Sequence, residues 1–361
     1  MARIPIPQSP QEITPNWLTR ILRRSGVVPD NVDVVHVSTS DPGREASYAG
    51  FVARLTLTYN PPSTRLPPTI IAKLPAPERL IRTLFQSIYR NEALFYRHIA
   101  GNVPIPVPAC YAALLNRRGT RSLLLLEDLT PIATPGDHDT GCRIDQADIA
   151  LRRLAQMHAD WWEHPDLDRL GWLSQYQVNS RKNWLIYAGS WLPFRYRLGQ
   201  VTPRRTLRVF SNLWRYRAHL QELESGRPRS LQHGDFRLAN LAFSSDDVYV
   251  FDWQVIRAGP PLFDVAWFML TSLTVDQRRA DEMTLLRAYH VSLVGSGVTG
   301  YAFEEMVEDY RFALLLTIPQ IMVIGAFLRI DPARRVMLGE LLLRFDAACE
   351  DHDLERVAAG R

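Results

Sequence analysis

The stretch from Leu231 to Trp253 constrains this chain most, because it places three oxygen-bearing side chains at fixed intervals. Asp235 is followed five residues later by Asn240, and twelve residues after that by Asp252, which closes a short apolar strand. Phosphoryl transfer needs a carboxylate that orients the attacking hydroxyl, and oxygen ligands that hold Mg²⁺ against a triphosphate. Any one of these residues alone would fit a polar loop or a strand end, but their joint spacing favours this chemistry.

The loop that carries the first two of these residues resembles a known family. The Asp-x4-Asn spacing of Asp235 and Asn240 is similar to the catalytic loop of kinases. His233-Gly234-Asp235 resembles the small-molecule branch, the aminoglycoside, choline and ecdysteroid-kinase-like phosphotransferases. Protein kinases have an arginine in place of Gly234, and a glycine cannot bind a phosphorylated activation loop as that arginine does.

The segment after the second aspartate narrows the resemblance. Asp252 is followed by Trp253-Gln254 rather than by Phe-Gly, and no Ala-Pro-Glu comes after it. With Gly259-Pro260-Pro261 and Asp264 downstream, it most resembles the ecdysteroid-kinase-like group and its bacterial relatives. The resemblance extends over roughly residues 15–345.

This resemblance implies an α+β, protein-kinase-like two-lobe fold. A small lobe of mainly antiparallel sheet would span residues 1–129, and a larger, mostly helical lobe would span residues 130–361. The implied cofactors are ATP, with GTP not excluded, and Mg²⁺. Residues 127–129 match the family's hinge, so that backbone groups around Glu127 and Leu129 would bond the adenine edge.

The resemblance also implies a role for each residue of the central stretch. Asp235 would orient or deprotonate an alcohol, and Asn240 and Asp252 would carry the metal. His233 would brace the loop rather than transfer protons, and Asp264 would anchor the loop from the larger lobe.

Lys73 and Glu92 are each unusual for their place in the sequence, and a pairing between them would account for both. Of 42 Lys and Arg residues only two are lysines, Lys73 and Lys182, which suggests that a compact ammonium is needed there. Lys73 lies in the apolar strand 69–74, and Glu92 falls on the apolar stripe of a helix predicted over 81–99. A buried carboxylate is costly unless it is paired. We therefore predict a Lys73–Glu92 pair, which kinases use to hold the α- and β-phosphates.

The remaining pattern fits the two-lobe arrangement. Residues 32–37 and 51–59 alternate as strands, and the apolar run 122–126 is typical of a buried strand. The loop 38–50 fits a flap over phosphates or an ordinary hairpin loop. Residues 165–225 are predicted to be largely helical, and their many aromatic residues either form core or line an acceptor pocket.

Composition and charge exclude several classes. The net charge is +4, with no run of like charges that would indicate nucleic acid. Three distant cysteines favour free thiols in a reducing cytosol. The N-terminus shows no apolar signal core. The uncharged segment 312–328 is predicted to be a buried helix rather than a membrane span, because Pro319 and Gln320 interrupt it. We therefore expect a cytoplasmic protein with neither nucleic acid nor a membrane as partner.

Two further patterns lead to no site. Gly295–Gly300 fits Gly-x-Gly-x-x-Gly, but a helical stripe precedes it where a dinucleotide site needs a strand. Gly295 is instead predicted to end a helix. His158 and His164 are six residues apart and out of metal-ligand register, so His158 is predicted to be a core histidine.

Taken together, the residues predict an ATP- and Mg²⁺-dependent O-phosphotransferase that acts on a hydroxyl of a small molecule. The stretch 150–225 is rich in Trp and Arg rather than in acids, which favours an uncharged, partly apolar alcohol over an aminoglycoside or choline. Two alternatives stay open. One is a catalytically idle nucleotide-binding scaffold. The other, a metal-dependent hydrolase, is disfavoured because no His-rich or second carboxylate shell accompanies the aspartates.

Overall fold

The structure, a computed structural model, describes residues 4–41, 50–76, 82, 86–136, 141–176, 180–327 and 330–360, without the side chains of 181–183 and 333. The centre of the predicted flap, residues 42–49, and the start of the predicted Glu92 helix, residues 81 and 83–85, lie outside these ranges. The chain divides into two compact units. The first comprises Met1–Thr134 and Ser244–Val255, and the second comprises Pro135–Phe243 and Ile256–Arg361.

The strands and helices are numbered in chain order. The strands are β1 (Asp33–Ser40), β2 (Gly50–Asn60), β3 (Thr69–Pro75), β4 (Cys110–Leu115), β5 (Ser122–Glu127), β6 (Thr134–Pro135), β7 (Ser174–Gln175), β8 (Ser230–Gln232), β9 (Leu241–Phe243), β10 (Val248–Val250) and β11 (Arg257–Gly259). The helices are α1 (Pro15–Arg24), α2 (Gln86–His98), α3 (Ile144–Asp160), α4 (Asp166–Arg169), α5 (Arg181–Leu198), α6 (Arg204–Asn212), α7 (Arg217–Glu224), α8 (Leu262–Ser272), α9 (Val275–Gly295), α10 (Phe303–Leu316), α11 (Ile318–Phe327), α12 (Pro332–Asp351) and α13 (Leu354–Ala359).

The first unit is built on an antiparallel sheet with the strand order β1-β2-β3-β5-β4. β3 lies in the centre, where Lys73 is the register partner of Val52 on β2 and of Leu124 on β5. A central strand has limited freedom to shift its register, because both neighbours fix it. The sheet therefore holds Lys73 at a defined position.

Helix α1 covers one part of this sheet. The side chain of Thr14 caps its N-terminus by accepting a hydrogen bond from the Trp17 N–H at 3.3 Å. Gly26, with a φ of +74°, follows its C-terminus in the left-handed conformation that glycine adopts without strain. Leu18 and Leu22 of α1 are fully buried in the core of the unit.

The second unit is mostly helical around a short sheet. In this sheet β11 pairs parallel with β7 and antiparallel with β8, and Arg257 lies opposite Gln232. β8 leads directly into the loop that begins at His233. Helix α8 is buried along nearly its whole length. α3 packs on α9, and α5 packs on α11.

The apolar segment predicted at 312–328 belongs to helices α10 and α11. In the described residues, Phe303–Phe327 is the one stretch that is long and apolar enough to cross a membrane, and most of it is buried inside the second unit. Gln320 on α11 donates a hydrogen bond to the carbonyl oxygen of Gly234 at 3.1 Å. The amide that interrupts the apolar run thus supports the Asp235 loop.

The architecture confirms the α+β fold class. Gly295 is the last residue of α9. Gly297 and Gly300, with φ of +109° and +73°, lie in the turn before α10. The Gly-x-Gly-x-x-Gly segment thus follows a helix, whereas a dinucleotide site needs a strand before it. One assignment differs from the sequence-based division at residue 130. Ser244–Val255, which carries Asp252, groups with the first unit rather than with residues 130–361. The physical reason is that the Trp253 ring stacks on Phe95 of α2, with ring centroids 4.0 Å apart.

Candidate active site

Lys73, Glu92 and Asp252 form a three-membered charge cluster in the first unit. The Lys73 Nζ donates to Glu92 Oε1 at 2.6 Å and to Asp252 Oδ1 at 2.7 Å. The predicted Lys73–Glu92 contact is therefore present, and Asp252 joins it. The three side chains are 16%, 4% and 32% exposed, respectively, so Glu92 is the most enclosed and Asp252 the most open.

Burial and charge act in opposite directions on this cluster. Burial by itself would lower the pKa of Lys73, but the attraction of Asp252 and Glu92 outweighs it, so the pKa is raised and the lysine stays an ammonium. Burial raises the pKa of Glu92, because desolvation and the nearby Asp252 charge exceed the opposing attraction of Lys73. Lys73 thus contacts two carboxylates, of which Asp252 is the more exposed.

The backbone around Asp252 is held in an uncommon conformation. Asp252 has a φ of +69°, in the left-handed region that few non-glycine residues adopt. The side chains of the next two residues, Trp253 and Gln254, make contacts that hold this segment in place. The Trp253 indole N–H donates to the Val250 carbonyl at 3.1 Å, and the Gln254 side chain hydrogen-bonds Glu92. Strained backbone of this kind persists where its surroundings over-determine it, and functional sites are common examples.

The predicted hinge residues lie at the end of β5. The Glu127 backbone N–H donates to the Ala109 carbonyl at 2.8 Å, and its carboxylate accepts from the Ala109 N–H at 3.0 Å. The Leu129 carbonyl accepts from the Ala133 N–H at 2.8 Å. This N–H and this carbonyl are thus occupied within the chain.

Asp128, between them, fixes the segment to the sheet. Arg54 of β2 donates to its carboxylate at 2.7 Å, and the Thr130 hydroxyl donates at 2.7 Å. Burial alone would raise the pKa of Asp128, but the hydrogen bonds from Thr130 and Arg54 lower it. The carboxylate therefore stays ionised and holds the chain just after β5.

Asp235, in the second unit, receives three side-chain hydrogen bonds. Trp267 Nε1 donates to Oδ1 at 2.8 Å, Asn240 Nδ2 donates to Oδ2 at 3.0 Å, and Arg237 Nε donates to Oδ2 at 3.2 Å. The Asp235 backbone N–H donates to His233 Nδ1 at 3.2 Å, which gives His233 the bracing position predicted for it. Such contacts favour a single carboxylate orientation, as a base or orienting group requires.

The side chain of Asp264 anchors the same loop by binding the loop's main chain, as predicted. Its buried carboxylate accepts from the His233 N–H at 2.6 Å and from the Gly234 N–H at 2.8 Å. Gly234 has a φ of +82°, a conformation that favours glycine. Behind Asp264, His158 lies fully buried, with Nε2 at 3.5 Å from the carboxylate and Nδ1 at 2.7 Å from the Tyr289 hydroxyl. His158 is a core histidine, as predicted.

Asn240, in the second unit, and Asp252, in the first unit, each carry a side-chain oxygen of the kind that binds magnesium. Asn240 directs its amide nitrogen to the Asp235 carbonyl at 2.8 Å and to the Asp235 carboxylate, so its amide oxygen remains for a cation. Asp252 has a carboxylate that is partly exposed. Mg²⁺ in nucleotide sites binds through one or two carboxylates together with phosphates and water, so a dense cluster of protein ligands is not needed. No group of three His, Cys, Asp or Glu side chains suited to a metal occurs among the described residues.

The profile of the phosphotransferase enzyme family matches residues 67–305. This span includes Lys73, Glu92, the Asp235 loop and Asp252. The chain belongs to this family.

Solved structures with the same fold include several small-molecule kinases. Aminoglycoside 2'-phosphotransferase-IIIa, in a GDP complex, aligns with a TM-score of 0.55 at 10% identity over 96% of this chain and 100% of its own. A choline/ethanolamine kinase family protein from Mesorhizobium loti aligns with 0.51 at 15% identity, over 94% and 97%. Amicoumacin kinase in complex with AMP-PNP and Ca²⁺ aligns with 0.51 at 12% identity, over 91% and 92%. No curated protein matches the sequence significantly. At these identities the similarity establishes the kinase-like fold.

Four side chains of this phosphotransferase support the site without having been predicted to do so. Gln254 and Trp267 contact Glu92 and Asp235, and Gln320 holds the loop at Gly234. The fourth, Arg257, lies between the rings of Tyr176 and Phe263, at 4.4 and 4.2 Å from their centroids. Burial lowers the pKa of Arg257, and its Nη2 meets no hydrogen-bond partner among the described residues. For Gln254 and Arg257 the available signal was position, because they lie two and five residues after Asp252.

Proposed function

We propose that this protein is an ATP- and Mg²⁺-dependent O-phosphotransferase whose acceptor is a hydroxyl of an uncharged, partly apolar small molecule. The observation that carries the proposal is the bridging of Glu92 and Asp252 by the Lys73 ammonium. An ammonium has three N–H donors, and two are used here. The third is available for a phosphate oxygen, which is the contact that a kinase lysine makes.

The chain's own residues divide the reaction between them. Asp235 accepts the proton of the acceptor hydroxyl as the oxygen of that hydroxyl bonds the γ-phosphorus and the bond from this phosphorus to ADP breaks. ATP and the alcohol thus yield ADP, a phosphate monoester and a proton. Lys73 binds the triphosphate, and Glu92 keeps the ammonium in place. Backbone groups around Glu127 and Leu129 would bind the nucleobase, of ATP in the first instance and of GTP as an alternative.

Asn240 and Asp252 would hold the metal. When bound, Mg²⁺ neutralises charge on the phosphates and on the departing ADP. The hydrogen bond from Lys73 already orients the Asp252 carboxylate.

Two observations support an acceptor that is not a cation. The side chains around Asp235 in the second unit include Arg237, which donates to its carboxylate, and Arg257, on which Asp235 acts electrostatically. Polycationic or quaternary-ammonium acceptors need acids or aromatic cages instead. Helix α5 also exposes apolar side chains on one face, with Leu185 65%, Leu192 71% and Tyr196 91% exposed. Such a face suits an acceptor with apolar parts.

The direct test is a screen of hydroxylated compounds for ATP consumption, with each hit examined by mass spectrometry for an added phosphoryl group. Matched sets of neutral, cationic and anionic alcohols separate the acceptor classes. Phosphorylation of a neutral, partly apolar alcohol that is lost in Asp235→Asn is expected. Binding of ATP and Mg²⁺ in a thermal-shift titration, with turnover of no compound, would instead indicate a nucleotide-binding scaffold.

A further inference from the structure

The indole of Trp267 is a hydrogen-bond donor to the Asp235 carboxylate. Trp267 lies on α8, is 2% exposed, and brings Nε1 to 2.8 Å from Oδ1. The ring stacks against Phe263, one turn earlier on the same helix, with an interplanar angle of 12°. An indole N–H is a donor only and does not titrate, so it can hold a carboxylate without exchanging a proton with it.

The two carboxylate oxygens of Asp235 are not equivalent. Each oxygen has about two lone-pair directions. On Oδ2 both are used, one by Asn240 at 3.0 Å and the other by Arg237 at 3.2 Å. On Oδ1, Trp267 uses one, and no second donor reaches it from the described residues. The free direction for a substrate hydroxyl therefore lies on Oδ1, beside the indole.

Helix α8 holds the catalytic loop at three points, one of which is the Ser272 hydroxyl, which accepts a hydrogen bond from the Leu238 N–H at 3.0 Å. Asp264, in the first turn, accepts two loop N–H groups, and Trp267, three residues later, binds the side chain of Asp235. Residues three apart lie on the same face of a helix, so one rigid element sets both the main chain and the carboxylate. Asn240 and Arg237, in contrast, belong to the loop itself and would move with it.

We infer that Trp267 is a positioning residue for the proton-accepting step, and that it makes Oδ1 the oxygen of Asp235 that receives the acceptor proton. The second part rests on the proposed function. In that step the proton passes from the acceptor hydroxyl to Oδ1, the acceptor oxygen bonds the γ-phosphorus, and the bond from this phosphorus to the ADP oxygen breaks. Trp267 neither gains nor loses a proton.

The contact itself is tested without any assumption about activity. The chain has nine tryptophans, so ¹⁵N-labelled protein shows nine indole N–H resonances at most, and Trp267→Phe identifies the one of interest. In Asp235→Ala this resonance should shift upfield and lose protection from hydrogen exchange, because its carboxylate partner is gone. The other indole resonances should stay in place. A Trp267 resonance that does not respond to Asp235→Ala would overturn the inference, whatever the enzyme's activity.

Its consequence for turnover is tested against a matched control. Trp161 in the same unit is 8% exposed, and its indole N–H has no hydrogen-bond partner among the described residues. Trp161→Phe therefore deletes the same atoms without removing a hydrogen bond. Loss of a hydrogen bond to a charged group corresponds to about a 10–200-fold effect. Trp267→Phe should lower kcat by that factor with an unchanged KM for ATP, and Trp161→Phe should leave kcat within about twofold.

A structural effect gives a different pattern. If Trp267 only packs the core, both Phe variants lower Tm and kcat alike, which would contradict the inference. Trp267→Phe should also add little to the loss in Asp235→Asn, because the residues act as a unit. Turnover can be followed with an identified acceptor or as ATP hydrolysis with water as acceptor. If no turnover is found in the wild type, the proposed function fails, and the resonance experiment still decides the contact.

Discussion

Removing the ammonium of Lys73 should destabilise the first unit strongly. In Lys73→Met, Glu92 and Asp252 would both lose the ammonium that lies 2.6 and 2.7 Å from their carboxylate oxygens. Removing one partner of a buried ion pair costs about 3–5 kcal/mol. For a unit of this size, each kcal/mol corresponds to about 2–4 °C. Calorimetry should therefore show the first unfolding transition lowered by about 6–20 °C.

Adding Glu92→Gln to Lys73→Met should restore much of the lost stability. Glu92→Gln removes one of the two carboxylates, and the Asp252 that remains is 32% exposed and keeps contact with water. The double variant should thus be more stable than Lys73→Met, with a coupling of about 0.5–3 kcal/mol. Lys73→Arg, the matched control, keeps the charge and most of the stability, but not turnover, because a planar guanidinium has a different geometry. Strictly additive losses would refute the pairing.

The same variants should differ in their dependence on pH. Burial raises the pKa of Glu92 above 4.5, so its stabilising contribution is complete below that value and is lost as pH rises through the folded-state pKa. Without Lys73 the opposing attraction is absent, and the pKa rises further. The Tm gap between wild type and Lys73→Met should therefore widen as the pH rises above about 4.5. A constant gap would mean that Glu92 does not titrate with folding.

Three other predictions concern the second unit. Asp235→Asn should lower turnover by about 10²–10⁴-fold while calorimetry shows unchanged affinity for Mg²⁺·ATP, and near-normal turnover would remove Asp235 from its role. Asp264→Asn weakens the acceptor of the His233 and Gly234 N–H groups and should cost about 1–3 kcal/mol in chemical denaturation, together with turnover; unchanged stability would contradict the anchoring. Arg257→Met removes the guanidinium whose Nε donates to the buried Gln232 Oε1 at 2.6 Å, so stability should fall by about 1–3 kcal/mol together with turnover, and an unchanged Tm would contradict this.

The sequence alone was sufficient to predict a contact where a charged residue fell at a position predicted to be buried and apolar. Glu92 falls on an apolar helical stripe, and a buried carboxylate without a partner is too costly to persist. Its pairing with Lys73 was therefore predictable, and the structure contains it. The Asp235 loop was predictable for another reason. Its residue types and their short spacing can be read from the sequence without knowledge of the tertiary structure.

Contacts over long sequence distances were not predictable in this way. The bond from Trp267 to Asp235 joins positions 32 residues apart, and a tryptophan in an apolar helix gives no sign of it. The link between Lys73 and Asp252 spans 179 residues. Asp252 has a left-handed conformation, and the ring of its neighbour Trp253 stacks on Phe95, which explains why this segment groups with the first unit. Such features arise from packing between elements that are distant in the sequence, and the local sequence pattern does not predict that packing.

Isothermal calorimetry of ATP binding, with and without Mg²⁺, tests the central claim most directly. We expect the wild type and Asp235→Asn to bind Mg²⁺·ATP equally and to lose most affinity without the metal. Asn240→Ala should bind less tightly, and Asp252→Ala should show no metal-dependent binding, since it loses the charged ligand. At a ligand concentration 100 times Kd, binding should also stabilise the wild type by about 2.7 kcal/mol. Equal Mg²⁺·ATP binding by the wild type and Asp252→Ala would contradict the account.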